Sequence, residues 1–223
     1  MIFDPPPAPP SDLSAPVEFV LKKDTVIHRV WKHATGRGAN VFNPGYGNAD
    51  PTRFAPMQRP TGMPEGERVG TLYAGETFDV AVYETLFRDL PPHPGPRDVL
   101  GTTVDQNAHC KLKVGRDLKL APLFDKHLKN WGLSRETLIG CRGRDAYRGT
   151  VLWAEAIYDQ FPHIDGLVWM SRQDETGKAY FFFGDRVRPS DLTPGKPRHL
   201  SLGVGKRDLE VLANRDAVTI TRP

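Results

Sequence analysis

Four short stretches of the 223-residue chain set a reactive side chain beside a predicted strand or helix end. They are His28-Arg29, Thr52-Arg53-Phe54, Thr71-Leu72-Tyr73-Ala74 with Glu84 following, and Trp169-Met170-Ser171-Arg172. A carboxylate such as Glu84 can offset positive charge that grows as a bond breaks. Guanidinium forks at Arg29 and Arg53 can take an anionic group in a bidentate geometry that lysine cannot match. The Tyr73 ring offers a surface for a flat group to stack on, and the Ser171 hydroxyl can bond to a sugar or an amide.

Each residue alone also has a plainer reading. Arg29 in a strand pattern fits one half of a surface ion pair, and Arg53 in a Gly/Pro-rich loop fits a tether to backbone carbonyls. Tyr73 fits a core aromatic, and Ser171 a turn former at a strand end. Glu84 lies among core-facing positions between Val80 and Phe87. A carboxylate there is seldom buried without a partner, so a structural Glu–Arg pair and a catalytic role both stay open. Trp153 and Trp169 read as core, and Arg172, Asp174 and Glu175 as a solvated turn.

The elements that must position these residues follow from hydrophobic period and turn chemistry. Met1 to Pro16 holds six prolines and almost no apolar pattern, which predicts a disordered or surface-hugging arm before a single domain over 17–223. Val26 to Trp31 alternates as a strand, Ala34 to Gly70 is rich in Gly, Pro and Asn and has neither period, and Val69 to Ala74 reads as a strand ending at Gly75. A loop-rich stretch of that length inside a domain is usually functional. Thr77 is a candidate N-cap for a helix to about Arg88, stopped by Pro91-Pro92. Val99 to Val104 suggests a strand, Leu118 to Trp131 a mixed segment with one helix, and Ala146 to Phe161 a helix. Ile164 to Ser171 and Ala179 to Phe183 read as two strands of a hairpin across the polar turn Arg172 to Lys178. Leu209 to Ile220 is a strand or a short helix.

Composition narrows the function classes. The formal net charge is +3, with 39% apolar and 26% charged residues, which is ordinary for a globule whose core needs no metal or disulfide staple. No apolar tract of about 18 residues and no charged-then-apolar amino terminus occurs, so neither a membrane span nor a secretory signal is expected and the expected compartment is the cytoplasm. Cys110 and Cys141 read as ordinary thiols, and the seven histidines form no pair spaced for one helical face, so no metal is expected. No Lys/Arg block reaches five residues, so direct nucleic-acid binding is not indicated. Gly36-Arg37-Gly38 and Gly203-Val204-Gly205 lack the strand–helix context of a dinucleotide fingerprint.

Taken in order, the four stretches resemble the RES-domain family, over roughly Val26 to Asp185. The resemblance implies an α+β fold, a compact ADP-ribosyltransferase-like mixed sheet core with flanking helices. It implies NAD⁺ as a substrate rather than a cofactor, cleaved at the nicotinamide–ribose bond by hydrolysis or phosphorolysis. The family's arginine maps onto Arg53, its glutamate onto Glu84 and its serine onto Ser171, with Arg29 and Tyr73 matching a further arginine and a tyrosine of the pocket. The implied catalytic set is Glu84, Arg53 and Tyr73, with Arg29, Arg53, Tyr73 and Ser171 binding substrate. It also implies the toxin of a toxin–antitoxin pair, with an Xre-like antitoxin as partner and nucleic acid reached only through that antitoxin. The loop from Ala34 to Pro64 is expected to flank the cleft mouth as a mobile, exposed surface for that antitoxin to block. The chain departs from the compact toxins by extra sequence at Ala34 to Asn48 and Pro91 to Gly149 and by the proline-rich arm. Transfer of ADP-ribose to a protein is the alternative chemistry, and a non-catalytic nucleotide- or nucleic-acid-binding module the alternative of another class.

Overall fold

The computed structural model describes residues 5–45, 51–58, 68–91 and 95–222. Its strands are β1 (Phe19–Leu21), β2 (Val26–Lys32), β3 (Met57–Gln58), β4 (Arg68–Val69), β5 (Thr71–Gly75), β6 (Asp98–Leu100), β7 (Asn107–Val114), β8 (Leu118–Pro122), β9 (Gly166–Met170), β10 (Lys178–Phe183), β11 (Leu192–Pro194), β12 (Arg198–His199) and β13 (Thr219–Thr221). The helices are α1 (Phe78–Tyr83), α2 (Gly101–Asp105), α3 (Asp125–Leu128), α4 (Arg144–Gln160) and α5 (Gly203–Arg215).

Among the described residues nine strands join one mixed sheet in the order β1-β8-β9-β10-β5-β2-β7-β11, with β12 also paired to β7. All pairs are antiparallel except β8 with β9. The Phe-rich strand β10 lies at its centre, which is why it reads as a continuous apolar run: both its faces are covered. Phe181 and Phe183 point with Leu167 and Trp169 into a core under α4, beside Trp153 and Ile157. Tyr180 and Phe182 point the other way, with Val168, Leu72 and Leu112. A third core joins Ala81, Val82 and Tyr83 of α1 to Leu209 and Leu212 of α5.

The pairing of β2 prepares the site. β2 pairs with β7 along its whole length but meets β5 only at His28↔Gly75. Beyond that rung the two strands part, towards Lys32 and Thr71. Gly75 also seats α1, because a Cβ there would lie 2.6 Å from Ala81 N and 2.8 Å from Val80 Cγ1.

Several expectations are revised. The segment Val99 to Val104 is not one strand: it is β6, paired with β13, followed by α2. Its run of β-branched residues is too short to tell strand from helical turn, and pairing with β13 decides. The helix expected to reach Arg88 is regular only over α1 and continues as hydrogen-bonded turns to Leu90, which allows Phe87 to be wholly buried. Leu209 to Ile220 divides between α5 and β13. The disordered alternative for the arm does not hold for residues 5–16. Trp153 Nε1 donates to the Pro7 carbonyl (2.7 Å), Gln160 Oε1 accepts from Leu13 N (2.7 Å), and Leu13 is buried. Prolines cost little entropy to hold extended, and Pro6 packs so closely on α4 that a Cβ at Gly149 would lie 2.8 Å from it. The parts of the expected loop and insertions at 46–50, 59–67 and 92–94 lie outside the described residues.

Candidate active site

Where β2 and β5 part, a cleft of about 580 Å³ opens, lined by Arg29, Tyr73, Arg53 and Glu84 among others. That volume lies in the usual range of small-molecule sites. Four of the five expected site residues line it, and the fifth, Ser171, sits behind Glu84.

Glu84 is the C-cap of α1, whose start is fixed by Thr77 Oγ1 accepting from Val80 N (3.2 Å). A carboxylate at a helix C-terminus opposes the helix dipole, so it needs compensation. Arg53 supplies it: Nη1 donates to Glu84 Oε2 at 3.1 Å, with the two side chains 2% and 6% exposed. Ser171 Oγ donates to Glu84 Oε1 at 2.9 Å. Ser171 is fully buried, so the expectation that it touches substrate is corrected: its hydroxyl orients the carboxylate.

The Arg53 loop is held from beneath. Phe54 is wholly buried, with its ring 5.2 Å from Trp169 and 5.8 Å from Phe181. Its N–H donates to the Tyr73 hydroxyl (3.0 Å), which also meets Thr52 Oγ1 at 3.2 Å, and the Thr150 hydroxyl of α4 donates to the Arg53 carbonyl. The Tyr73 ring stands edge-on to Phe181 at 4.8 Å. Burial pushes the Tyr73 phenol up to about 12, so it holds its proton near neutrality. Its hydroxyl positions the Arg53 loop through Phe54 N–H and Thr52 Oγ1, and the residue lines the cleft.

Arg29 is likewise committed. Nη1 donates to the carbonyls of Ala39 (2.5 Å) and Val41 (2.9 Å), fastening the loop after β2, and the residue is only 8% exposed. Burial, then the nearby Arg37, lowers its pKa to about 9, which leaves it cationic at neutral pH. It is a buried tether, not half of a surface ion pair.

The cleft also contains residues that the sequence reading passed over: Lys32, Arg37, Thr85 and Arg88. Arg88 was legible in principle, four residues after Glu84 on one helical face. Arg172, read as part of a solvated turn, instead reaches inward, with Nη2 donating to the Arg88 carbonyl at 2.7 Å. Five cationic side chains and one carboxylate line the cleft, so its field favours an anionic ligand. Among the described residues no group of three or more His, Cys, Asp or Glu side chains is placed to hold a metal ion, and no helix is long and apolar enough to cross a membrane.

No curated protein matches the chain. Among solved structures, a chain of the M. tuberculosis MbcT–MbcA toxin–antitoxin complex shares the fold, at a TM-score of 0.58 and 14% identity, covering 87% of this chain and 92% of that one. The model of the RES domain matches residues 26–202, a span that holds every side chain of the cleft described above. The chain belongs to the RES-domain family.

Proposed function

We propose that the protein cleaves the nicotinamide–ribose bond of NAD⁺. The observation that carries this reading is the carboxylate of Glu84, held on one oxygen by Arg53 and on the other by Ser171, inside a cationic cleft of a RES domain. As the C1′–N bond lengthens, positive charge moves from the pyridinium ring to C1′ and the ribose oxygen. A fixed anion beside the ribose stabilises that charge more in the transition state than in the ground state. Nicotinamide leaves with the bonding electron pair as a neutral molecule, so no acid has to protonate it. Water, losing a proton to solvent, or phosphate then closes on C1′.

Incubation with NAD⁺, with and without phosphate, tests this by nicotinamide release and by the mass of the second product. ADP-ribose or its 1′-phosphate is expected, and Glu84→Gln abolishes either. ADP-ribose attached to protein would instead give the transfer reaction. Failure of the folded wild type to release nicotinamide at stoichiometric enzyme overturns the reading.

The reading includes a role as the toxin of a toxin–antitoxin pair, with an Xre-like antitoxin covering the cleft. Its support is family membership and the fold shared with a chain from a toxin–antitoxin complex. Expression of the chain alone should arrest growth with falling cellular NAD⁺, relieved by Glu84→Gln. Harmless expression of a chain active in vitro would sink the toxin role.

A further inference from the structure

Beside Lys32, the four arginines of the cleft are of two kinds. Arg29 and Arg53 are at most 8% exposed and spend their guanidiniums on the protein itself, on the carbonyls of Ala39 and Val41 and on Glu84. Each is anchored through Nη1 by a bond that shapes the site, while Arg53 Nε is buried with no hydrogen-bond partner. Arg37 and Arg88 differ: their head groups are held by side chains that solvent reaches, those of Asn43 and Asp89.

Arg37 lies in the turn after β2, and its carbonyl accepts from Trp31 Nε1 at 2.9 Å. Its guanidinium donates to Asn43 Oδ1 at 3.0 Å, a neutral acceptor that leaves its charge uncompensated. The charge is felt nearby, since Arg37 helps lower the pKa of Arg29. Arg88 lies in the turns after α1, one helical turn past Glu84. Its carbonyl is held by Arg172, and the preceding Phe87 is wholly buried. Its side chain, 31% exposed, pairs with the carboxylate of the next residue, Asp89, through Nη2 at 3.1 Å and through Nε at 3.3 and 3.4 Å, and the Asp89 side chain is 68% exposed. An exposed pair of chain neighbours is weak, and a doubly charged ligand displaces it readily.

We infer that Arg37 and Arg88 grip the pyrophosphate of the dinucleotide, while Arg29 and Arg53 hold the walls and the carboxylate. The inference rests on NAD⁺ as the substrate. It reassigns the anion contacts from the two arginines that sequence resemblance selects to two that it does not. The clamp also gives a role to cations that surround a single carboxylate in the cleft. The anionic portion of the substrate is drawn to Arg37 and Arg88, leaving its ribose over Glu84.

Titration calorimetry with ADP-ribose, which carries the pyrophosphate but no bond to cleave, separates the clamp from the reaction. Arg37→Gln and Arg88→Gln should each weaken ADP-ribose about tenfold, and the double variant further, with the unfolding midpoint unchanged. Wild-type affinity should fall between 50 and 500 mM salt, about the range where exposed charges are screened, and that dependence should shrink in the double variant. Asp89→Asn, which releases Arg88, should tighten binding. Unchanged affinity and salt dependence in the double variant overturn the clamp. Wild-type protein that neither binds ADP-ribose nor releases nicotinamide fails in a different way: it removes NAD⁺ as the substrate, and the clamp with it.

Discussion

Ser171 donates a hydrogen bond from its hydroxyl to Glu84 Oε1 at 2.9 Å from a position with no solvent exposure, while Oε2 of the same carboxylate accepts from Arg53. Each oxygen thus has its own fixed donor, and the plane of the carboxylate is set before any substrate arrives. Such pre-orientation lowers the cost of reorganisation at the barrier. Ser171→Ala should therefore lower kcat about tenfold with KM nearly unchanged, and Glu84→Gln should lower kcat about 100-fold or more with ADP-ribose affinity kept. Steady-state nicotinamide release checks both. A change confined to KM in Ser171→Ala would return the serine to a substrate-binding role.

The Arg53–Glu84 pair predicts a stability pattern as well. Removing one partner of a buried ion pair strands the other charge, which typically costs about 3–5 kcal/mol, whereas replacing both with apolar groups is close to neutral. Arg53→Met should thus be markedly destabilised, and Arg53→Met/Glu84→Leu should recover most of the loss while remaining inactive. Urea unfolding of the two variants measures this directly. Equal destabilisation in both would show that the pair is not the source.

Tyr73→Phe removes the acceptor of the Phe54 N–H and should cost about 1–3 kcal/mol. It should also speed hydrogen exchange at Phe54. Because the phenol is pushed up to about 12, the rate of the wild type should show no limb from Tyr73 between pH 7 and 10, and Tyr73→Phe should leave the shape of the pH profile unchanged. A basic limb that disappears in this variant would make the phenol a proton carrier.

On the far side of β2, His28 Nδ1 and His109 Nε2 meet at 3.0 Å, with Arg198 Nη2 2.8 Å from the other His109 nitrogen and Phe78 edge-on to the same ring. Burial, aided by the positive charges of Lys111 and Arg198 and, for His109, by His28, lowers the two imidazoles to about 4 and about 3, against a small opposing pull from Asp79 on His28. Folding therefore favours the neutral rings. The unfolded chain takes up protons below pH 6.5 that the folded chain refuses, so stability present above that pH is lost as pH falls towards 4. Urea midpoints at pH 7.5 and 5 should show a decline in the wild type that is smaller in His28→Gln/His109→Gln.

What could be read from sequence divides along physical lines. The Val26 strand, α4 and the β9–β10 hairpin carry strong periods and clear turn chemistry, and all three are present. β7 was legible in the alternation of its Cys-Lys-Leu-Lys-Val run, and Cys110 is a buried thiol in that strand. The meeting of Arg53, Glu84 and Ser171 follows the ordered motif set, since spacing alone cannot bring residues 31 and 87 positions apart together. Exposure was not legible: nothing in the sequence says that Arg29 and Ser171 would be buried while Arg37 and Arg88 stay accessible, because that depends on how far β2 and β5 part.

The proline-rich arm gives α4 two employers. Gly149 and Trp153 meet Pro6 and Pro7, and the intervening Thr150 holds the carbonyl of Arg53. A disturbance at the amino terminus is thus a single helical turn away from the counterion of Glu84. A fusion or truncation there, seemingly remote, should act as a lever on the Glu84 site, so differently tagged versions of the chain are best compared as variants.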